Sequence, residues 1–245
     1  MDAVGRPGAE NMAIDQTLLD AVGQGGDAAY LRLYRWDPPC LSFGRNEPAQ
    51  SRYDRAEVER LGLAVVRRPT GGRAVWHDDE VTYAVAAPVT AFGCLHDSYY
   101  AIHQRLARAL RALGLDATLA SAVARPGPLA AGACFAQPVG GEVLVRGRKV
   151  VGSAQVRQGD AFLQHGSILL GGSQEMVARV SRNGAAPSGA GSLSETLGRR
   201  VAFDDVARAI ADTWIDDGEA MRHEPSARPS ARLSTFTDPA WTWRR

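Results

Sequence analysis

Lysine is almost absent from this chain. Among 245 residues there is one, Lys149, and arginine supplies every other strongly basic side chain. Arginine stays protonated in proteins, whereas a lysine amine can release its proton and take part in chemistry. A single lysine on a solvated hairpin could equally be a chance survivor, so the residues around Lys149 must decide whether its amine has a function.

Other scarce features exclude whole classes of protein. The formal net charge is +1, so the composition offers no strongly basic surface, and no nucleic acid partner is expected. No stretch approaches the ~20 apolar residues of a membrane helix, and the first residues do not resemble a secretory leader, which predicts a cytoplasmic protein with no membrane contact. Cys40, Cys94 and Cys134 are too scattered for a disulfide framework and are expected to be free thiols.

The hydrophobic patterns alternate between helical and strand periods, which predicts a single mixed α/β (α+β) domain over residues 1–245. The clearest predicted elements are helices over 9–22, 98–113 and 204–216 and strands over 30–36, 63–68 and 81–87. The stretch 142–170 predicts a three-stranded meander with tight turns at 146–147 and 159–160. A tail, 221–245, is expected to dock on the rest of the chain through its aromatic residues.

A glycine loop follows the strand predicted to end near residue 68. Gly71 and Gly72 lack a Cβ, so their backbone amides could approach a ligand closely. The flanking Arg67, Arg68 and Arg73 would suit a phosphate or a carboxylate. The same glycines would also serve an ordinary hairpin turn, and these residues alone do not choose between the two.

The histidines are weaker candidates. His77 is followed by three acidic residues at 78–80, but successive strand residues point to opposite faces and cannot close one coordination shell, so no metal site is expected. His77 and His165 are expected to line a site, not to act as acid or base. His103 is expected on the surface of the helix at 98–113.

Together, the glycine loop and the lysine strand resemble the biotin/lipoate protein ligase and transferase family, whose members attach lipoate, octanoate or biotin to a lysine of a carrier domain. The matching runs are RRPTGGRAVWHD at 67–78, GRKVVGSAQ at 147–155 and QHGS at 164–167. Weaker similarity extends from the first helix to about residue 215. The resemblance implies one mixed α/β domain like the catalytic core of the biotin protein ligases.

Two chemistries compete within that family. The ligases use the equivalent lysine to hold an acyl-adenylate, whereas the octanoyltransferases use it beside a cysteine that carries the acyl group as a thioester. Cys134, in an Ala-Cys-Phe run fifteen residues before Lys149, resembles that cysteine. Two features favour the transferases further: Arg73 stands where the ligases usually have a third glycine, and the chain has no room for the C-terminal domain of the larger bacterial ligases.

The resemblance therefore implies an octanoyl-carrier-protein:protein octanoyltransferase in which Cys134 is the nucleophile and Lys149 its activator. Acyl carrier protein would be the octanoyl donor and a lipoyl carrier domain the acceptor. No cofactor is expected, because ATP would be needed only by a lipoate ligase, and a non-catalytic partner of lipoyl domains is a third possibility. The residues expected to bind substrate are Arg68, Thr70, Gly71, Gly72, Arg73, His77, Gly152, Ser153, Ala154, Gln155, His165 and Gly166.

The implied chemistry is consistent with elementary acid and base behaviour. A free thiol has a pKa of about 8.5, and a nearby ammonium favours its anion. Lys149 would thereby activate Cys134, and it is a candidate to receive the proton of the attacking carrier lysine. Backbone amides at 152–154 or 71–72 could stabilise the oxyanion.

Overall fold

The computed structural model describes residues 2–25, 28–121, 140–182, 184, 189–216 and 232–244. The strands are β1 (Asp2–Arg6), β2 (Tyr30–Trp36), β3 (Cys40–Phe43), β4 (Ala64–Arg67), β5 (Val75–His77), β6 (Glu80–Pro88), β7 (Ala117–Leu119), β8 (Val143–Val145), β9 (Arg148–Lys149), β10 (Val151–Gln158) and β11 (Ala161–Leu169). The helices are α1 (Gly8–Gly23), α2 (Ala49–Arg52), α3 (Arg55–Arg60), α4 (Leu95–Ala112), α5 (Glu175–Val180), α6 (Leu193–Leu197), α7 (Phe203–Asp216), α8 (Leu233–Thr237) and α9 (Pro239–Thr242).

A five-stranded sheet in the order β1-β2-β6-β11-β10 forms the centre of the fold. Its middle strand β6 is buried on both faces, because successive side chains point to opposite sides. Val81, Tyr83 and Val85 pack towards α4 and α7, whereas Ala84 and Ala86 pack towards α1. The apolar faces of α1, α4 and α7, which the helical periodicity of the sequence predicts, therefore cover this sheet.

Two three-stranded sheets complete the fold, one in the order β4-β3-β5 and one in the order β7-β8-β9. The predicted mixed α/β architecture is confirmed. The meander is predicted only in part, because its middle strand breaks at Val150: the Val150 amide donates to the carbonyl of Val143 on β8, while its carbonyl accepts from Leu169 on β11. The chain therefore passes from the small sheet to the central sheet immediately after Lys149.

The turn before Lys149 agrees with the prediction. Arg146 and Gly147 both have positive φ, 50° and 74°, as a two-residue hairpin turn requires. Sequence patterns miss β1, which lacks alternating apolar residues and pairs in parallel with β2 at the edge of the sheet.

The C-terminal residues 232–244 pack on the body, with Phe236 and Trp243 buried. Arg67 holds them there. Its side chain is 0% exposed and donates to the carbonyls of Trp241 at 2.8 Å, Gly44 at 2.7 Å and Glu47 at 2.7 Å. In contrast to the prediction for the arginines of the glycine loop, Arg67 faces backbone carbonyls and is a structural residue.

No helix among the described residues has the length and apolar character needed to cross a membrane. Within the same residues, His, Cys, Asp and Glu side chains form no group of three arranged to hold a metal ion.

Candidate active site

A pocket of about 340 Å³ lies in the crevice between the central sheet and the β4-β3-β5 sheet. Ser42 on β3 and Val75 and His77 on β5 form one wall. Residues 152–154 on β10 and 165–167 on β11 form the opposite wall.

The pocket brings together most of the residues expected to bind substrate. Those lining it are Arg68, His77, Gly152, Ser153, Ala154, His165 and Gly166. Thr70 does not line the pocket but is hydrogen-bonded to His165, which does. Gln155 pairs with Gln164, which does not line it, and Gly71, Gly72 and Arg73 lie in the adjoining loop. Two matching runs that are distant in sequence thus face each other across one crevice.

The glycine loop packs against a second glycine. A Cβ on Gly44 would lie 1.9 Å from the carbonyl oxygen of Gly72, so the two backbones are in direct contact. Arg68 donates to the carbonyls of Gly71 at 2.8 Å and Arg73 at 2.6 Å, and to the Ser42 hydroxyl at 3.0 Å. Arg68 therefore joins the loop to the pocket wall.

His165 belongs to a buried network that joins the sheet to α1 and the glycine loop. Its Nδ1 donates to Asp15 at 2.9 Å, and its Nε2 accepts from the Thr70 hydroxyl at 2.6 Å. Burial lowers the pKa of His165 despite the Asp15 carboxylate. Although burial alone would raise it, the hydrogen bond from His165 and the charge of Arg32 lower the pKa of Asp15. A neutral His165 with both ring nitrogens paired is consistent with a residue that lines the site.

His77 is fixed in a similar way. Its Nδ1 donates to Glu80 Oε1 at 2.8 Å, and its Nε2 lies 2.7 Å from the Ser42 hydroxyl. The Trp36 ring stacks on the imidazole with 3.9 Å between centroids. Ser167 on β11 also donates to Glu80 Oε1, at 2.9 Å, so the buried carboxylate ties the two walls together.

His103 corrects a prediction, because its side chain is 0% exposed and not on the surface of α4. Its Nδ1 donates to the Gly141 carbonyl at 2.7 Å, which leaves Nε2 to accept from the Ser153 hydroxyl at 2.8 Å. Tyr83 then donates to Ser153 at 2.6 Å and accepts from Gln164 at 2.8 Å. This directional chain orients the Ser153 hydroxyl at the pocket wall.

The neutral state of His103 predicts a pH dependence of stability. Burial, assisted by the charge of Lys149, lowers the pKa of His103 to about 4. Between pH 6.5 and 4 the unfolded chain binds a proton there that the folded chain does not, so stability falls as the pH falls through this window. We expect His103→Gln, which keeps one donor and one acceptor, to remove about 3 kcal/mol of the difference in unfolding free energy between pH 7 and pH 4.

Urea unfolding at both pH values measures that difference. The control is His96→Gln, because His96 lies on the same helix with a side chain 79% exposed. An unchanged pH dependence in His103→Gln would contradict the assignment.

The Lys149 amine lies 2.5 Å from Glu142 Oε1, and both side chains are buried, at 3% and 5% exposure. Lys149 does not line the pocket, but it stands on β9, which ends three residues before Gly152. The pocket wall at 152–154 therefore continues directly into the segment that holds this ion pair. Sequence reasoning found Lys149 but not its partner.

Cys134 lies outside the described residues, so its predicted contact with Lys149 remains a prediction. The flanks of its segment are nevertheless defined. Gly141 donates to the carbonyl of Ala120 at 2.8 Å, and Ala120 donates to the carbonyl of Glu142 at 2.7 Å. Ala120 and Gly141 are thus joined by backbone hydrogen bonds next to Glu142, the residue that pairs with Lys149.

Solved structures of other proteins share the fold of this chain. Among solved structures, a T. acidophilum protein with bound lipoic acid aligns with a TM-score of 0.78 at 19% identity, covering 99% of this chain and 98% of that one. A lipoate-protein ligase A bound with ATP aligns with a TM-score of 0.77 at 21% identity, covering 99% and 97%. The fold is therefore that of the lipoate protein ligases.

Sequence similarity is more specific. The profile of the lipoyl protein ligase A/B catalytic domain matches residues 7–215. Octanoyltransferase LipM of Kyrpidia tusciae is 36% identical over 262 positions, covering 96% of this chain and 94% of that protein. Octanoyltransferase LipM of Carboxydothermus hydrogenoformans is 43% identical over 176 positions, which span 71% of this chain and 65% of the relative. The chain belongs to the lipoyl protein ligase A/B family.

Proposed function

We propose that this protein is an octanoyltransferase that acts in lipoate synthesis. It takes octanoyl from the thioester of acyl carrier protein onto Cys134 and passes it to a lysine of a lipoyl carrier domain. The observation that carries the proposal is the similarity, over 96% of this chain, to a protein named octanoyltransferase. The pocket between the sheets and the buried Lys149, which stands shortly before the pocket residues 152–154, support the proposal.

The reaction balances without ATP. The Cys134 thiolate attacks the carrier thioester, so one carbon–sulfur bond forms, another breaks, and the released carrier thiolate takes a proton. The acceptor amine then attacks acyl-Cys134, so that the carbon–nitrogen bond of the amide forms and the carbon–sulfur bond to Cys134 breaks. The proton that the amine nitrogen loses passes to the departing sulfur or to solvent. The positive charge of Lys149 would favour the thiolate in both steps.

The pocket is suited to hold the octanoyl chain. Met12, Trp36 and Val75 give it an apolar lining. The hydrogen-bonded Ser153 hydroxyl lies at the wall that leads to Lys149. We therefore assign the reacting carbonyl to the side of residues 152–154, where backbone amides could stabilise the oxyanion.

The decisive experiment uses octanoyl-acyl carrier protein without ATP. We expect mass spectrometry to detect one octanoyl adduct on the native protein, which hydroxylamine removes and Cys134→Ala abolishes. Cys94→Ala, which removes an exposed thiol, is the control and should leave the adduct intact. Adding a lipoyl domain should discharge the adduct and acylate one lysine of that domain.

Other outcomes point to the alternatives. A lipoate ligase would give no adduct but would transfer free lipoate or octanoate in the presence of ATP. A non-catalytic partner of lipoyl domains would do neither. An adduct formed from an octanoylated lipoyl domain, but not from acyl carrier protein, would identify an enzyme that moves acyl groups between carrier domains.

A further inference from the structure

The buried ion pair constrains what Lys149 can do. We propose that Glu142 is a positioning residue that keeps the Lys149 amine protonated, so that Lys149 acts as a fixed positive charge and not as a base. The inference rests on the proposed function for its catalytic meaning. The ion pair itself does not depend on that function.

The hairpin places the two side chains on the same face. Leu144 on β8 pairs with Lys149 on β9, and Glu142 is two residues before Leu144. Residues two apart on a strand share a face, so Glu142 is the diagonal neighbour of Lys149. The two-residue turn at 146–147 fixes this register, because inserting one residue would move the carboxylate to the other face.

The backbone that carries Glu142 is itself anchored. His103 donates to the carbonyl of Gly141, and Ala120 donates to the carbonyl of Glu142. Gly141 has a φ of 85°, and a Cβ there would lie 2.8 Å from the Tyr100 ring, so only glycine fits this position. The carboxylate is therefore held in place before any substrate binds.

Three ionisable residues lie around the Lys149 amine or beside it on the chain. Glu142, the residue before β8, faces the amine, while His103 on α4 is kept neutral by burial and by the Lys149 charge. Arg148, the neighbour of Lys149 on β9, has its own partner, the exposed Glu195 of α6, at 2.5 Å. A buried ammonium without its carboxylate would tend to lose its proton, because desolvation disfavours the charged form.

This arrangement changes the expected route of the proton. An amine that is already protonated cannot receive the proton of the attacking carrier lysine. That proton must pass to the departing Cys134 sulfur or to solvent. Lys149 keeps its charge throughout and stabilises the Cys134 thiolate both when it attacks the carrier thioester and when it leaves. In this proposal Lys149 is a fixed positive charge, in place of the base that the sequence suggests.

Because Lys149 is the only lysine of the chain, its charge can be observed directly. Protein labelled with ¹³C at the lysine side chain gives one signal, which can be followed by NMR as the pH is raised. In Glu142→Gln we expect this signal to titrate at least one pH unit lower than in the native protein. Glu142→Asp keeps the carboxylate one methylene farther away and should give a smaller fall in the same direction.

The matched control is Glu195→Gln. It removes the carboxylate that pairs with Arg148, the neighbour of Lys149, and should leave the Lys149 titration unchanged. A native midpoint in Glu142→Gln would overturn the proposal, and so would a native midpoint in Glu142→Asp if the glutamine variant does not fold. Adduct formation on Cys134 is measured on the same samples and should slow at least tenfold in Glu142→Gln. If the native protein forms no adduct while the titration shifts as expected, the proposed function fails and the pairing stands.

Discussion

Replacing Arg67 with methionine is expected to destabilise the protein by about 3–5 kcal/mol. The guanidinium is fully buried, and its donors reach backbone carbonyls of the segment after β3 and of the C-terminal residues 241–244. Methionine fills similar space but donates nothing, so these carbonyls would lose a shared donor inside the protein. Urea unfolding at neutral pH, with the slope checked for constancy, measures the loss.

The control for this substitution is Arg60→Met, since Arg60 is exposed and pairs only with Glu57 on the same helix. Its unfolding midpoint should match that of the native protein. Limited proteolysis provides a second readout: in Arg67→Met the peptide bonds of residues 232–244 should be cut faster, because the Arg67 guanidinium donates to three backbone carbonyls of this segment. Native resistance together with a native midpoint would contradict the role assigned to Arg67.

Replacing Gly166 with alanine is expected to reduce adduct formation on Cys134 by at least a hundredfold. A Cβ at this position would lie 2.5 Å from the carbonyl oxygen of Gly152 and from the Ser153 hydroxyl, and 2.8 Å from the Tyr83 ring. Two of these contacts are with rigid neighbours in the sheet, so β10 must move away from β11. That movement deforms the pocket wall and breaks the hydrogen-bond chain to His103, and it should cost about 1–3 kcal/mol of stability as well.

Mass spectrometry of the adduct and thermal unfolding test this prediction together. The control is Gly23→Ala at the end of α1, where the nearest atom would be 4.0 Å from the new Cβ. That variant should keep both native activity and native stability. If Gly166→Ala reacts at the native rate, the close approach of β10 and β11 is not needed for the reaction.

The parts of the fold that the sequence predicts are those with a local cause. The apolar residues Ile102, Leu106 and Leu110 recur every four positions and define the buried face of α4. The side chains of β2 alternate in character along the strand, because the two faces of the strand have different packing partners. By contrast, the break at Val150 has no local signal, because it arises from hydrogen bonds to β8 and β11 at the same residue.

The site divides in the same way. The family resemblance identifies Lys149 and His165 because they lie in continuous runs of matching residues. Their partners are missed. Asp15 pairs with His165 across 150 positions, and Glu142, the partner of Lys149, lies in a stretch whose sequence pattern indicates only an ordinary hairpin. His103 is misplaced because periodicity indicates which side of a helix is apolar, not whether a polar residue beside that side finds a buried partner.

The burial of Lys149 has a consequence for an enzyme that attaches acyl groups to lysine. Its single side-chain amine is only 3% exposed and is paired with Glu142, while every other strongly basic side chain is an arginine, which remains protonated and is not acylated by thioesters. The surface thus offers no lysine that could compete with the carrier domain for the octanoyl group. In the proposed reaction the protein is protected from modifying itself.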